Sequence, residues 1–581
     1  MLIDVLQWRA QTQPDQLAYT FLSNRGQQES ACTYRDVYQR ASAVGAALQS
    51  MDMSGEQVML CCPPGLDFIA AFLGCLCSGA IAVPCYPPHR NKPNVRLKAI
   101  LVDSQARAVL TTAHILENLH EYFPEPEIRN GLVWLAIDKI GAWTDGFTPA
   151  SHDLAFLQYT SGSTSTPKGV MVSQANLMYN LKAIEQCFEH TPESYGVIWL
   201  PPYHDMGLVG GLLQPLYVGF PAVLLPPVDF VSFPYLWLQT ISHYRATVSG
   251  GPNFAYDLCA RTVTPEQKAA LDLSSWKVAF NGAEPVCSET LDRFAEAFES
   301  CGFRRDAFLP CYGLAEATLI VSGGARVSRP IVRRYDRQSL QQGHAIPRES
   351  RAGCPGNEST LDETITLVGC GQSLAGGKII IVDPESRLPC APEQVGEIWI
   401  SGPGIAQGYW GKSKETQETF HAYLAHTGEG PFLRTGDLGL MQDGELFVTG
   451  RLKDVIIIQG RNYYPQDIEL TVEQSHLALQ PGGGAAFSLD SSNEARLAIV
   501  YELKLSHRKV DVESVAQAIR LAVKVHYGLE VDIVALAKPA HVPKTSSGKI
   551  QRYLCRAMLL DGSLSLIGSS ILSGVVRETV I

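Results

Sequence analysis

The chain is short of positive charge, of paired cysteines and of long unbroken apolar runs, and each shortage removes a class of protein. Lysine and arginine number 47 against 58 aspartates and glutamates, a formal net charge of −11, which argues against nucleic acid as a general partner. The 15 cysteines include no CxxC pair, so neither a disulfide framework nor a zinc knuckle is indicated, and a reducing, cytoplasmic setting is expected. The opening MLIDVLQWRAQTQPDQ has no basic segment leading into an apolar core, so no export is expected. Phe68 to Cys85 comes nearest to a membrane span, but Gly74, Gly79 and Pro84 interrupt it. A buried helix followed by a buried strand is expected there, and no stable membrane insertion. Internal repeats are not evident, which sets solenoids aside.

What is present is a folded, multi-lobed composition. The chain has 581 residues, 46% hydrophobic and 18% charged, more than one core usually supports at roughly 150 residues per domain. Helical patterns such as Asn176 to Phe188 alternate with apolar runs such as Val197 to Leu200, as expected of α/β layers. Asp443-Gly444 reads as a hairpin turn. The charged run Gly450 to Asp454 marks a hand-over between lobes, with Pro465 opening a helix to His476 and Pro481-Gly482-Gly483-Gly484 making a flexible turn beyond it. The expected division is therefore a large domain over 1–452, a small one over 453–560, and a tail over 561–581 to which no role is assigned. Arg326 to Arg351 holds seven arginines against Asp336 and Glu349, a basic island within an inserted element at about 322–366, longer than ordinary connections of roughly 4 to 6 residues.

The most informative segment is Tyr159 to Gly169, YTSGSTSTPKG. Glycines let main-chain N–H groups turn inward, Thr160, Ser161, Ser163, Thr164 and Thr166 offer hydroxyls, and Lys168 adds a point charge, which together make a phosphate grip. The spacing is not the Walker GxxxxGK[ST] pattern, and Val170 to Val172 reads as a strand. Four further motifs suit a nucleotide. Tyr312-Gly313-Leu314-Ala315-Glu316 presents a carboxylate of the kind Mg²⁺ takes when it bridges phosphates. Arg434-Thr435-Gly436-Asp437 presents one able to hold both ribose hydroxyls, and Arg451 suits phosphate or ribose oxygens. Pro543 to Lys549, PKTSSGK, is a second hydroxyl-rich loop whose Lys549 could approach an α-phosphate.

Taken in this order, the motifs resemble the adenylate-forming superfamily of acyl-CoA synthetases, peptide-synthetase adenylation domains and luciferases over nearly all of residues 1 to 560. LPPYHDMGL from Leu200, NGAEP from Asn281, GRNYYP from Gly460 and the basic insertion look more closely like the fatty acyl-AMP ligases. The resemblance implies an α/β fold with a large N-terminal domain of layered sheets and helices and a small, mobile α+β C-terminal domain. It implies that Thr160, Ser161, Gly162, Ser163, Thr164 and Lys168 lie over the β- and γ-phosphates, that Glu316 is the Mg²⁺ ligand, and that Asp437 anchors the ribose with Arg451 nearby. Asn281, Gly282, Ala283, Glu284, Tyr312, Gly313 and Leu314 would frame the adenine. Lys549 would act at carboxylate and α-phosphate, and His204 would gate the carboxylate site. Asp205, Met206, Gly210 and Gly211 would line the acyl pocket, a structural helix being the alternative for the last three. Ser165 departs from the glycine common in the wider superfamily.

The implied reaction is ATP- and Mg²⁺-dependent adenylation of a fatty acid to enzyme-held acyl-AMP, followed by transfer to the phosphopantetheine thiol of a separate acyl carrier protein or synthase carrier domain, since the chain holds no carrier signature. The resemblance places a hinge at Lys453, and the insertion would restrain its swing. The island arginines are candidates to touch an acidic partner or an acidic face of the small lobe. A fatty acyl-CoA synthetase is the nearest alternative, an amino-acid adenylating domain a further one, and a catalytically silent acyl-adenylate or carrier-binding protein the alternative of a different class.

Overall fold

An α/β architecture results, with large N-terminal sheets and a small C-terminal domain. The computed structural model describes residues 1–572 apart from 24–25, 89, 91–93, 142–146, 161–166, 327, 349–362, 492–493, 508 and 546–547. Among the described residues a six-stranded sheet orders Val133–Ala136, Ala108–Thr111, Gln57–Leu60, Ile81–Pro84, Leu154–Thr160 and Lys168–Ser173. Only the last strand is antiparallel to its neighbour. A nine-stranded sheet is parallel from Phe308–Gly313 across to Leu17–Ser23 and antiparallel at both edges. Parallel strands covered on both faces read as unbroken apolar runs, which explains Phe68 to Cys85. It is the helix Leu66–Ser78, stopped by Gly79 at φ 75°, then the fully buried strand Ile81–Pro84.

A four-stranded sheet, Lys378–Val382, Gly396–Ser401, Leu433–Gln442 and Glu445–Arg451, completes the large domain. Its last hairpin turns on Asp443 and Gly444 with φ 54° and 80°, the left-handed pair that Asp-Gly accommodates. The helix Gln174–Phe188 is capped by Ser173, whose hydroxyl accepts the Asn176 N–H. Asn176 Nδ2 then donates to the carbonyls of Pro403 and Ile405, 2.8 Å each. Asn180 donates to Ala317 and Ile320 and accepts the Ile320 N–H. Two amides of one helix thus tie the turn at Ala315–Ala317 and the segment after Pro403 to a common base.

In the small domain a four-stranded sheet has both faces buried. Leu497, Ile499, Tyr501 and Leu503 enter one core, and the alternating Ala498 and Val500 enter another, the two-residue period of a strand. Helix Pro465–Ser475 starts where Pro465 predicts. Two expectations are corrected. Pro481 to Gly484 is not a turn but part of the strand Leu479–Ser491, with a register shift before Gly484. A Cβ on Gly484 would meet the Tyr501 ring at 2.1 Å, so glycine is there for close approach rather than flexibility. The residues past Leu560 are not all tail either. Leu566–Ile571 pairs antiparallel with Val531–Ala537, and Arg520 donates to Ser570 Oγ and its carbonyl, both at 2.8 Å.

Within the insertion, Val332–Asp336 and Thr364–Val368 form an antiparallel pair followed and preceded by the helix Arg337–Gln341 and undescribed residues respectively. Three of the seven arginines pair with carboxylates outside the small domain. Arg326 pairs with Glu189 at 2.7 Å, Arg333 with Asp443 at 2.5 Å and Arg348 with Asp336 at 2.6 Å, all carboxylates of the large domain or the insertion itself. Arg337 differs, its guanidinium lying 5.1 Å over the ring of Tyr527 in the small domain. Arg351 lies outside the described residues. Among the described residues no helix is long and apolar enough to cross a membrane.

Candidate functional site

The two domains enclose a cleft of about 1880 Å³. One wall is the end of the six-stranded sheet, where Thr160 and Lys168 are directly paired across the stems of the hydroxyl-rich loop. Ser161, Gly162, Ser163 and Thr164 lie outside the described residues. Lys168 Nζ stands 4.7 Å over the ring of Tyr409, and the Tyr409 hydroxyl donates to Glu316 Oε1 at 2.9 Å. Burial lifts the Glu316 carboxyl above its ordinary range, against that hydrogen bond. Glu316 is thus a half-buried acid aimed into the cleft.

On the four-stranded sheet, Asp437 accepts from Tyr312 Oη at 2.7 Å and from Arg451 Nε at 2.9 Å. The Asp437 charge raises Arg451 further above its usual value. This turn rests on Glu397, 2% exposed, which accepts from Arg434 Nη2 at 2.7 Å, Trp399 Nε1 at 2.9 Å and the Gly436 N–H at 3.1 Å. A buried carboxylate costs several kcal/mol in roughly any protein unless paired and bonded this fully. Sequence reasoning passed over Glu397; its one signal is a lone acid in the apolar strand Gly396–Ser401.

Opposite lies the segment from Tyr203. His204 Nδ1 is 2.6 Å from Asp205 Oδ1, and the Met206 N–H donates to the same oxygen at 2.7 Å. Burial raises the Asp205 carboxyl, but His204, Lys549 and that N–H together bring it below its ordinary range. Met206–Leu213 is a π-helix, wider than the ordinary helix weighed from sequence. Met206 and Gly210 line the cleft with Ile184, Phe188 and Leu319, none of the last three being evident from sequence. Gly211 does not line it: a Cβ there would meet Ile198 Cγ2 at 2.7 Å, so this glycine serves packing against the nine-stranded sheet.

Ala283 sits at φ 70° and, with Glu284, Tyr312, Gly313 and Leu314, faces the cleft. A Cβ on Gly313 would fall 1.9 Å from the Leu319 carbonyl oxygen. Glu284 is turned to the Phe254 N–H, 2.6 Å away, and its carboxyl is raised by burial. Asn281 and Gly282 lie behind the wall. Asn281 is fully buried, and a Cβ on Gly282 would come 2.7 Å from the Cys311 carbonyl oxygen.

The small domain closes the cleft. Lys549 points in with its ammonium destabilised by burial and by Arg451, against the pull of Asp205, Glu284 and Asp437. The Gly548 position is seated 3.1 Å from Phe254 by its would-be Cβ. Arg261–Glu473 at 2.9 Å and Gln466 Nε2 to the Thr449 carbonyl at 2.7 Å also join the domains. Lys453 is exposed in the turn between Glu445–Arg451 and Ile456–Ile458. Among the described residues no group of three or more His, Cys, Asp or Glu side chains could hold a metal ion. A single carboxylate plus substrate phosphates is nonetheless a common way to hold Mg²⁺, and Glu316 fits that use.

Comparison with known proteins agrees with this geometry. Residues 6–410 match the AMP-binding enzyme family model, and 453–569 match that of the Disco-interacting protein 2-like AMP domain. The medium-chain fatty acid–acyl-carrier-protein ligase JamA of Moorena producens is 46% identical, covering 97% of this chain and 95% of that protein. The long-chain fatty acid–AMP ligase FadD32 of Mycolicibacterium smegmatis is 35% identical, covering 96% and 93%. A solved fatty acyl-adenylate ligase from Legionella pneumophila, in complex with acyl adenylate and pyrophosphate, superposes with TM-score 0.73 at 39% identity over 98% of this chain and 97% of that one. The chain belongs to the AMP-binding enzymes and, among them, to the fatty acyl-AMP ligases.

Proposed function

We propose that this ligase activates a medium-chain fatty acid as acyl-AMP and hands it to the phosphopantetheine thiol of a separate acyl carrier protein or synthase carrier domain. One observation carries the reading. Lys168 and Glu316 from the large domain and Lys549 from the small one converge with Asp437 on a cleft that continues past His204 between apolar side chains. JamA supports the medium-chain and carrier assignments by its name and 46% identity. Gly210 supports a chain lying there, because a Cβ at that position would approach Leu319 Cδ2 to 3.3 Å, and its absence leaves room.

In the first step a carboxylate oxygen of the fatty acid forms a bond to the α-phosphorus of ATP, and the bond from that phosphorus to pyrophosphate breaks. Lys168 and the loop donors would take the β- and γ-phosphates, Lys549 the α-phosphate, and Asp437 the ribose in exchange for part of its present hydrogen bonding. Asp205 would fix the His204 ring at the carboxylate's approach. Ala283, Tyr312 and their neighbours would frame the adenine. Glu316 would hold Mg²⁺ together with the phosphates, a cation that offsets phosphate charge. Preorganised donors of this kind do most of the work where no covalent enzyme intermediate forms. In the second step the carrier thiol attacks the acyl carbon, its proton passes to solvent, and AMP leaves.

Lys453 would be the hinge between the steps, and the insertion, with Arg337 over Tyr527, would brace the small domain. The reducing cytosol is the proposed setting, consistent with free cysteines that are mostly buried. The test supplies ATP, Mg²⁺ and dodecanoic acid with and without coenzyme A and separates products by mass spectrometry. Acyl-AMP that persists in the presence of coenzyme A, and disappears onto an added phosphopantetheinylated carrier, is the expected result. Acyl-CoA would make the protein a synthetase, and absence of any product would point to another acid or to a silent binder.

A further inference from the structure

We propose that Tyr409 is a positioning residue that holds Lys168 and Glu316 in one frame, through a strap of main chain, Ala406 to Lys412, bonded to the stems of the hydroxyl-rich loop and to the Glu316 turn. The phenol has two faces of use. Its ring centroid lies 4.7 Å from the Lys168 ammonium, and its hydroxyl donates to Glu316 Oε1 at 2.9 Å. A lysine on a four-carbon stem loses rotamer entropy on being fixed, and an aromatic face supplies a cation–π contact that offsets part of that loss.

The ring is closely confined. Tyr409 is 6% exposed, its N–H donates to Thr416 Oγ1 at 2.9 Å, and its ring meets Phe420 edge-on at 5.1 Å. Gly408 permits the approach to Thr416, because a Cβ there would stand 2.3 Å from Thr416 Cγ2 at a φ of 121°. The main chain around it forms an antiparallel bridge beside the loop's exit strand: the Met171 N–H donates to the Gly408 carbonyl at 2.9 Å and the Trp410 N–H to that of Gly169 at 2.8 Å. The Ala406 N–H donates to the Glu316 carbonyl at 2.9 Å. At the other end, Lys412 Nζ meets Asp103 Oδ1 at 2.5 Å, and Asp103 Oδ2 accepts from Tyr159 Oη at 2.7 Å. Tyr159 immediately precedes Thr160, so both stems of the loop and the Glu316 turn are fastened to the same strap.

The inference rests on the reading of Lys168 as the phosphate-side cation and Glu316 as the Mg²⁺-side acid. The experiment titrates ATP calorimetrically into the full chain without fatty acid, once with EDTA and once with Mg²⁺, for wild type, Tyr409→Phe, Tyr409→Leu and Glu316→Gln. Thermal unfolding is measured alongside. Wild type should bind ATP more tightly with Mg²⁺, and Glu316→Gln should lose that gain, which tests the underlying reading separately. Tyr409→Phe keeps the ring and loses the hydroxyl: its affinity in EDTA should match wild type, while the gain from Mg²⁺ falls several-fold. Tyr409→Leu should lose several-fold in EDTA as well, so that phenylalanine rescues the Lys168 part alone. If wild type gains nothing from Mg²⁺, or Glu316→Gln gains as much, the underlying reading fails. If those two behave as stated but Tyr409→Phe matches wild type in both titrations, or both Tyr409 variants lose equally in proportion to lowered unfolding temperature, the positioning role is overturned.

Discussion

The two lysines of the cleft are held in opposite ways. Lys168 begins a strand of the large domain, above a buried tyrosine, in a lattice of hydrogen bonds that exists whatever the small domain does. Lys549 belongs to the small domain and reaches Asp205, Glu284 and Asp437 only because that domain is docked. The docking contacts include Arg261–Glu473, Gln466 to Thr449, Arg337 over Tyr527 and Gly548 against Phe254, together with Tyr464 and Val455 packed into one apolar cluster with Leu438, Leu440 and Phe447. On the function proposed above, the difference makes nucleotide grip a property of one domain and chemistry at the α-phosphate conditional on the arrangement of two.

The sharpest test of that contrast is Lys549→Ala. Pyrophosphate exchange should fall by about 10²-fold to 10³-fold, the usual loss for one preorganised charge at a reacting centre, while ATP affinity stays close to wild type. A comparable loss of ATP affinity would erase the distinction between the two lysines. A smaller effect concerns pH. Burial and Arg451 favour the neutral form of Lys549, so its ammonium is lost, as pH rises, earlier than that of a free lysine. The alkaline limb of the adenylation rate should therefore lie below the pH at which free lysine titrates, and Lys549→Arg should move that limb upward even with a lower maximum. The smallest effect is expected at the domain contact itself. The Arg261–Glu473 pair has an arginine side chain 36% exposed, and such pairs contribute about 0–1 kcal/mol. Glu473→Gln should slow adenylation no more than about fivefold, leave ATP affinity unchanged, and lose its effect in high salt.

Legibility divides along the same line. Strands, helix starts and the Asp443-Gly444 turn follow from local backbone preference and were readable. So was the order of the motifs carrying Thr160, Glu316, Asp437 and Lys549, because each is a short run with its own chemistry. Misreadings arose where a distant partner decides. Gly484 suggests a turn until Tyr501 is seen against the strand. Gly211 reads as tunnel space until Ile198 occupies it. The arginine island, one run in sequence, divides in space: Glu189, Asp443 and Asp336 take up three of its charges, while Arg337 lies over Tyr527 of the small domain.

By itself the sequence determined the α/β alternation, the acidic and cysteine-unpaired character, and the set of nucleotide-binding motifs, since these depend on residues near one another in the chain. Only the tertiary structure decided which side chains share a charge, a ring or a wall. Tyr409 and Glu316 are 93 positions apart and Tyr312 and Asp437 are 125 apart, and no local propensity specifies contacts across such separations; burial and the satisfaction of polar groups in a common core do.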